Sequence, residues 1–403
     1  MNRALLLLLA SVALVACNGG APSNGNYPYP PIPSPSMTPT LAPVTLSQPK
    51  IPIRGLIDMQ DISWHNTDNA TPAPFTTSYI SGYPGLFGGI VINETWADMQ
   101  PTQGGAIVTT AVDNDLQAVQ MYNSSSNVTQ SSPVSVKLRI YAGSNAPLWA
   151  KHLPGGPITI YRNPAGCNGL TDSCALTLGP YWTTPYINAW RSFQAQVATK
   201  YDTNPLIVAV AVTSCAEQTD EPFVASTGPI SKANLEAAGL TDPLQESCLS
   251  GAMTDYSAWV NTDIDFTFNS YNKLTGGLDT AFTQSVMQQC RTTAGSRCVL
   301  DNHALQTPIT SDPQIYTDIQ SMGGLINFQT QSPEGMGCIW PETITQGIIL
   351  GARAIEVWPE ARYQGFTTLT VPQVTELSNL FYEPVPASTP VPNPLPAPCS
   401  GFN

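Results

Sequence analysis

Basic side chains are scarce in this chain, and their scarcity excludes one class of partner. The 403 residues include 15 Lys and Arg against 28 Asp and Glu, so the formal net charge is −13. A protein that docks on nucleic acid needs clustered Lys and Arg to displace the counterions of the phosphates. We therefore expect no nucleic-acid partner.

Histidines and nucleotide-binding motifs are also scarce. The chain has only three His, at positions 65, 152 and 303, and neither a His-Glu-x-x-His helix nor cysteines at zinc-finger spacing. No Gly-x-Gly-x-x-Gly or Gly-x-x-x-x-Gly-Lys-[Ser/Thr] motif follows an early strand. We expect no metal site and no cofactor.

Long apolar runs are missing, and the short one at the amino terminus has a specific meaning. Residues 4–15 follow Arg3 and are too few for a stable membrane span, but they suit the apolar region of an export signal. The run ends in Leu14, Val15, Ala16 and Cys17, which resembles the bacterial lipobox. This predicts a signal peptide over residues 1–16 and lipidation of Cys17. A plain signal peptide, in which Cys17 is incidental, is the alternative.

The expected location follows from this motif. The protein would be exported and anchored by lipid to the cell envelope, in the periplasm or at the cell surface. Its only contact with the membrane would be through the lipid.

Proline is abundant instead, and it concentrates at the two ends of the chain. Residues 17–52 are rich in Pro, Ser, Asn and Gly, and a second Pro-rich stretch covers residues 383–403. Such segments bury too little apolar area to fold and favour extended polyproline geometry. We interpret them as a tether and a tail around one globular domain, residues 53–382.

The cysteine count supports export. Nine Cys less the lipidated Cys17 leave eight, an even number in an exported protein, which is typical of a disulfide framework. Eight cysteines allow 105 connectivities. The spacing favours two short loops first and two longer bridges second: Cys167 with Cys174, Cys290 with Cys298, Cys215 with Cys248, and Cys338 with Cys399.

Short β-rich runs alternate with helical patterns through the middle of the chain, which is typical of an α/β protein. The predicted strands cover residues 53–62, 86–93, 134–141, 206–213, 278–282, 298–302, 324–329 and 352–358. The predicted helices cover residues 113–122, 184–201, 253–272, 285–293, 312–322, 342–350 and 372–382. Eight strand-helix units predict a single-domain (β/α)8 TIM barrel with disulfide-braced loops. A doubly wound open sheet is the main rival.

The residues at the predicted strand ends indicate the kind of ligand. In a barrel of this kind the reactive groups lie where strands end and the following loops begin. Those positions carry carboxylates, amides and aromatic rings, with few cations. Sugar hydroxyls need hydrogen-bond partners, and sugar faces stack on Trp and Tyr, so this mixture favours an uncharged polyhydroxylated ligand.

Three stretches carry a resemblance to a known family. Residues 89–104 (GIVINETWADMQPTQG) resemble the second strand and loop of clan A glycoside hydrolases. Residues 136–143 (VKLRIYAG) and 146–149 (APLW) are similar to their third strand and the Pro-x-Trp after it, and residues 186–212 to the helix and strand before their acid/base Glu. The resemblance is greatest to the cellulase-like and family 42 β-galactosidase-like barrels.

The resemblance implies two catalytic carboxylates. Glu217 matches the acid/base position just past the fourth strand, although Ala216 stands where the family usually has Asn. The family's nucleophile Glu would lie on the seventh strand, where this chain has Gln329. The second carboxylate is then Glu356 on the eighth strand, our first choice, or Glu334 in the preceding loop.

The leading hypothesis is a glycoside hydrolase that cleaves O-glycosidic bonds of a neutral poly- or oligosaccharide, and that works as a monomer. Eight further residues are expected to bind the sugar: Glu94, Trp96, Arg139, Trp149, Asn302, His303, Gln329 and Trp358. A non-catalytic carbohydrate-binding lipoprotein on a degenerate barrel is the alternative, and a structural envelope protein is a third hypothesis.

Overall fold

The structure is a computed structural model that describes residues 45–60, 62–63, 71–72, 74–125, 133–161, 175–225, 228–331, 340–358 and 371–382. The described residues all belong to one unit of the chain, Leu41–Asn403. The predicted signal peptide, Cys17, most of the predicted tether and the predicted tail lie outside them. In the part of the chain that is described, no helix combines the length and apolarity needed to cross a bilayer.

Eight parallel strands close into a barrel in which each strand pairs with its neighbours in sequence, and the last pairs with the first. The strands are β1 Gly55–Asp58, β2 Phe87–Thr95, β3 Ser135–Tyr141, β4 Ile207–Ala211, β5 Asp263–Thr267, β6 Cys298–Asp301, β7 Leu325–Gln329 and β8 Ala354–Val357. The predicted (β/α)8 fold is confirmed, and the open sheet is excluded.

Helices alternate with the strands around the outside. The longer ones are α1 Thr110–Asn123, α2 Thr184–Tyr201, α3 Pro229–Ala237, α4 Asp242–Asp255, α5 Thr280–Ala294, α6 Pro313–Met322, α7 Trp340–Ile349 and α8 Val371–Leu380. Short helices cover Ser78–Ser81, Trp96–Met99 and Leu148–Lys151. Three two-stranded hairpins lie outside the barrel: Ile62–Ser63 with Thr71–Pro72, Ile158–Tyr161 with Ala175–Leu178, and Tyr271–Asn272 with Leu278–Asp279.

Strand alternation divides the buried side chains into two sets. On β3, Val136, Leu138 and Ile140 belong to the large apolar core between barrel and helices. The alternate residues therefore point into the barrel, because successive side chains of a strand face opposite sides. The lower interior is apolar and is filled by Ile53, Ile57, Val91, Val208 and Ala354.

The prediction for the fifth strand was wrong. The sequence predicted a helix over residues 253–272 and a strand over 278–282, whereas α4 ends at Asp255 and Asp263–Thr267 forms β5. Leu278–Asp279 pairs with the preceding hairpin strand, and the Asp279 carboxylate caps α5 by accepting from Phe282 N at 3.0 Å. β5 is hard to recognise from the sequence because acidic residues alternate with apolar ones along it. The inward-facing Asp265 is stable in the fold because Lys137, which is distant in the sequence, lies beside it.

Two of the expected disulfides are present. One joins Cys215, just after β4, to Cys248 on α4, and the other joins Cys290 on α5 to Cys298 at the start of β6. Both therefore brace connections on the outside of the barrel. The other four of the eight cysteines expected to form disulfides, at 167, 174, 338 and 399, lie outside the described residues.

The last residues of the predicted tether lie against the barrel. The Leu46 amide donates to Asn261 Oδ1 at 2.7 Å, and Lys50 Nζ donates to the carbonyl of Ile207 at 2.5 Å and to Thr262 Oγ1 at 2.8 Å. Residues 45–52 therefore cover the amino-terminal end of the barrel.

Candidate active site at the carboxyl end of the barrel

The upper interior of the barrel is ionic. Lys137 Nζ, on β3, lies 3.0 Å from Asp265, 3.1 Å from Asp301 and 2.5 Å from Glu356, carboxylates that come from β5, β6 and β8. All four side chains are fully buried. Unpaired charges would be very costly at such positions, so each group depends on its partners.

A second cation lies one layer closer to the mouth. Arg139 Nη2 contacts Glu356 Oε2 at 2.5 Å, and Arg139 Nε contacts Asp220 Oδ2 at 2.6 Å. Both oxygens of Glu356 are thus used, one by Lys137 and one by Arg139. Burial alone would raise the pKa of Glu356, but the two cations outweigh it and hold the pKa below its usual value.

His303 links the two layers. Its Nε2 lies 3.3 Å from Asp301 and 3.0 Å from Thr267 Oγ1, and its Nδ1 lies 3.6 Å from Asp220. Burial would lower the pKa of His303, but the carboxylates of Asp220 and Asp301 raise it well above the ordinary value. The two carboxylates therefore favour the protonated imidazole.

We call the buried charged groups of this region the ionic cluster: Lys137, Arg139, His303, Asp220, Asp265, Asp301 and Glu356. Its charges balance when His303 and one of the four carboxyl groups are protonated. Burial raises the pKa of Asp265 to about 7 in spite of Lys137, and Asp301 adds to the rise. The amide of Asn327 donates to Asp265 Oδ2 at 2.9 Å. Lys137, Arg139 and protonated His303 then face the ionised Asp220, Asp301 and Glu356.

Glu221, a carboxylate of this region, is half-buried. It lies in the loop that follows β4, and its Oε1 accepts a hydrogen bond from Asn269 Nδ2 at 3.1 Å. Burial raises its pKa, His303 opposes the rise, and the neighbouring charge of Asp220 adds to it. Glu221 is therefore held toward the protonated form at the mouth of the barrel.

Asp220, the adjacent residue, has the opposite character. Burial would raise its pKa, but Arg139 and His303 outweigh that effect and hold the pKa far below the ordinary value. Two neighbouring carboxyl groups thus have pKa values that their surroundings push apart.

The chain matches no protein-family model and no curated protein. Solved structures do resemble it. Endo-glycoceramidase II from Rhodococcus sp., in complex with a cellobiose-like imidazole, matches with a TM-score of 0.50 and 12% identity over 80% of this chain and 78% of that one. The complex of that enzyme with a cellobiose-like isofagomine matches with the same TM-score, identity and coverage.

An endo-β-1,4-glucanase from Xanthomonas axonopodis pv. citri is also similar, with a TM-score of 0.47 and 10% identity over 82% of this chain and 99% of that one. These structural neighbours are clan A glycoside hydrolases. At 12% identity the likeness to endo-glycoceramidase II shows a shared barrel fold and nothing more.

The two predicted catalytic residues lie in different surroundings. Glu356 is inside the barrel between Lys137 and Arg139. Glu217 is buried beside the loop residue Tyr181, whose hydroxyl donates to Glu217 Oε1 at 3.0 Å and lies 2.6 Å from Gln245 Oε1 of α4. The Glu217 carbonyl also accepts from Ser144 N at 2.8 Å. Glu334, the other predicted second carboxylate, lies outside the described residues.

Three predicted sugar-binding residues come together with the ionic cluster. Arg139 and His303 are part of it. Gln329 is paired with Glu356 in the β7–β8 register, and its buried Oε1 has no hydrogen-bond partner among the described residues. Trp358, another predicted sugar-binding residue, follows β8 and is half-buried. Its indole N–H donates to Thr330 O at 3.0 Å.

The side chains of two other predicted sugar-binding residues, Glu94 and Asn302, make their contacts outside the ionic cluster. Glu94 lies on the same face of β2 as Ile90 and Ile92, which belong to the outer core. Its acidic neighbours are Asp98 on the short helix that follows β2 and Asp115 on α1. Its pKa is about 7, chiefly through burial. Asn302 is held by Phe268 O and by the Tyr316 hydroxyl of α6.

Two of the predicted stacking platforms belong to an aromatic cluster outside the barrel. Trp96 is fully buried and makes edge-on contacts with Trp149, Tyr186 and Trp190 at ring distances of 5.0–5.4 Å. The indole of Trp149 donates to Gln100 O at 2.9 Å. Core packing accounts for both rings.

Sequence reasoning missed Lys137, Asp265, Asp220 and Glu221 as site residues. For Lys137 and Asp265 a signal was available, because charged residues alternating with apolar ones in a strand predict one face lined with charge. For Asp220 and Glu221 the deciding contacts come from β3, β6 and the loop after β5.

One group of side chains has donors at metal-binding distances. Ligand atoms of Asp301, His303 and Glu356 lie within 4.8 Å of one another. Lys137 Nζ already contacts two of these three residues, and the ring nitrogens of His303 lie beside Asp301 and Asp220. A divalent cation would have to displace an ammonium group, so the donors present do not fit a metal.

Proposed function

We propose that the protein is an exported, lipid-anchored glycoside hydrolase that cleaves a neutral poly- or oligosaccharide. The fold it shares with clan A glycoside hydrolases supports this. The observation that carries the proposal is Glu221, a half-buried carboxyl group of raised pKa at the mouth of the barrel.

Glu221 is the proposed general acid in place of Glu217. Glycoside hydrolysis needs one carboxyl group held protonated to donate to the leaving oxygen and a second that stays ionised. Burial and the charge of Asp220 raise the pKa of Glu221, which is the direction that the first requirement needs. Its partial exposure leaves it accessible to a sugar, whereas Glu217 is 1% exposed.

Asp220 is the proposed ionised partner. Arg139 and His303 hold its charge in place. As Glu221 protonates the glycosidic oxygen and the bond from that oxygen to the anomeric carbon breaks, Asp220 stabilises the positive charge on the sugar. The Glu221 carboxylate then accepts the proton of the water that attacks the anomeric carbon, which restores the acid. Glu356 then acts as a positioning residue, because both its oxygens are held by Lys137 and Arg139.

The test is turnover on a panel of neutral glycans by the wild type, Glu221→Gln and Glu217→Gln, with Glu236→Gln on the exposed surface of α3 as the matched control. We expect Glu221→Gln to lower kcat by about 10²–10⁴-fold, the usual contribution of a general acid. Glu217→Gln and the control should keep turnover within a few-fold of the wild type. Loss of activity in Glu217→Gln with full activity in Glu221→Gln would return the acid role to Glu217.

The pH profile gives an independent check. An acid acts in its protonated form, so kcat/KM should fall as pH rises through the raised pKa of Glu221. The fall should be absent from the residual activity of Glu221→Gln.

A non-catalytic sugar-binding protein is the second candidate, and Gln329 favours it. The resembled enzymes carry their nucleophile on the seventh strand, where this chain has an amide that cannot form a glycosyl ester. Binding without turnover of any glycan on the panel, measured by affinity electrophoresis, would support this candidate.

The lipid anchor is tested separately. We expect incorporation of labelled palmitate by the wild type and none by Cys17→Ala. A labelled Cys17→Ala chain would overturn the assignment of the anchor.

A further inference from the structure

A cavity lies at the opposite end of the barrel from the ionic cluster. Its volume is about 510 Å³, and it is lined by residues from the amino-terminal ends of several strands and by the segment that precedes β1. Lys50, Arg54 and Arg353 supply its charge, while Ile51, Pro52 and Val208 supply apolar surface. In a chain with only 15 Lys and Arg, three cations at one cavity are notable.

These three cations have no carboxylate within 4 Å among the described residues. Lys50 donates to the carbonyl of Ile207 and to Thr262. Arg54 donates to Phe381 O, and Arg353 donates to Ile53 O at 3.2 Å and Pro52 O at 3.4 Å. These bonds use Nε and Nη2 of each arginine, and the Arg54 guanidinium also lies over the Tyr382 ring at 4.6 Å.

The wider surroundings leave an excess of positive charge. Arg297 lies nearby and donates to Trp259 O and Thr262 O. Two carboxylates act on the group, Asp202 and Asp263. Asp202 is already held by the amides of Val260 and Asn261, and burial raises the pKa of Asp263 to about 7.

We infer that this cavity is a binding site for an organic oxyanion of about monosaccharide size, with Lys50, Arg54 and Arg353 as its recognition groups. Arginine presents N–H groups in a planar fork that matches carboxylate and phosphate oxygens, and lysine adds a point charge. Pockets for small organic ligands have volumes of about 300–1,000 Å³, which includes this one. A bare inorganic ion would leave most of the cavity unfilled.

This site is independent of the proposed hydrolase activity. Its cations belong to the amino-terminal end of the barrel, whereas Glu221 and Asp220 lie at the carboxyl end. The effect of a substitution in one site can therefore be measured without altering the other site.

The first test is calorimetric titration of the full chain at low salt with glucose 6-phosphate, glucuronate and glucose. We expect binding of one or both anions and none of glucose at this site. The double variant Lys50→Gln/Arg353→Gln should weaken anion binding by at least about tenfold, since it removes two charge-assisted contacts. Lys232→Gln on α3, which removes the same kind of charge from a residue that does not line the cavity, should bind as the wild type does. Equal binding of glucose and the anions, or unchanged binding by a folded double variant, overturns the proposal.

A second test uses the wild type and does not depend on folding of the variant. Burial lowers the pKa of Lys50 to about 8, against the pull of Asp202 and Asp263. Lys50 should therefore react readily with an acylating reagent at pH 8, and the bound anion should slow this labelling several-fold, as measured by peptide mass spectrometry. Labelling of Lys232 should not change. Labelling of Lys50 that proceeds equally fast with saturating anion overturns the proposal.

The source of the oxyanion is distinguished by vesicles. Binding of glucose 6-phosphate without binding to phosphatidylglycerol vesicles supports a free sugar phosphate. Binding to both, lost in both cases in the double variant and absent with phosphatidylcholine vesicles, supports a lipid headgroup as the ligand.

Discussion

At the scale of single residues, Lys137 holds the barrel interior together. Its ammonium group contacts carboxylates from three different strands, each of which is fully buried. The interaction is non-local, since Lys137 and Glu356 are separated by 219 positions in the sequence. The role of Lys137 is therefore evident from its three carboxylate partners in the fold and not from the residues next to it in the sequence.

We expect Lys137→Met to lower the free energy of unfolding by about 3–5 kcal/mol, because the change leaves buried carboxylates without their counter-charge. The measurement is denaturant-induced unfolding followed by circular dichroism. The matched control is Lys232→Met, whose lysine forms a half-exposed pair with Glu236 and should cost less than about 1 kcal/mol. Equal stability of the two variants would contradict the proposed role of Lys137.

At the scale of elements, the loop after β4 supplies the residues on which the proposed function depends. It starts at Thr213, is joined to α4 through Cys215 and Cys248, and brings Asp220 onto Arg139. The Thr213 hydroxyl donates to Ile140 O of β3 at 2.5 Å, which ties the start of the loop to the neighbouring strand. The loop is thus held at both its start and its middle.

Removing the Cys215–Cys248 disulfide by a Ser/Ser double variant should lower stability by about 2–4 kcal/mol, because the bond closes a loop with a sequence separation of 33. The matched control is the Cys290→Ser/Cys298→Ser variant, which removes a disulfide between cysteines only 8 positions apart. Loop-closure entropy predicts that its loss of stability is smaller by about 1 kcal/mol. Both are measured by denaturant unfolding. A larger loss from the shorter loop would contradict the entropic explanation.

At the scale of the whole molecule, buried carboxyl groups of raised pKa dominate the dependence of stability on pH. Burial raises the pKa of Asp58, Glu94, Asp263 and Asp265 to about 7 each. Between their unfolded values and pH 7 the folded chain binds more protons than the unfolded chain, so stability falls as pH rises through this window. Asp220, Asp301 and Glu356 have lowered pKa values in the fold and lose their contribution only as pH falls below about 4.

The protein should therefore unfold at a higher temperature at pH 5 than at pH 8. Glu94→Gln should narrow this difference by stabilising the fold at pH 8 by about 1–3 kcal/mol, since an amide carries no charge into the buried site. Scanning calorimetry at both pH values measures the effect, with Glu236→Gln as the exposed control. A wild-type Tm that rises from pH 5 to pH 8 would contradict the assignment.

Part of the site was accessible from the sequence. Arg139, His303 and Gln329 were predicted as site residues because they follow or end apolar strands, and the structure places all three near Glu356. Glu94 and Asn302 satisfy the same positional rule but face α1 and α6, because a shift of one residue along a strand reverses the face on which a side chain lies.

The alternation of apolar runs and helical patterns indicated the barrel and seven of its eight strands, because strand and helix periodicity are local properties of the chain. The position of the fifth strand and the surroundings of Glu217 and Glu221 depend on contacts between residues that are distant in the sequence. A buried charge is stable only beside a partner, and the partners of Asp265 and Asp220 lie on β3, more than 80 positions earlier in the chain.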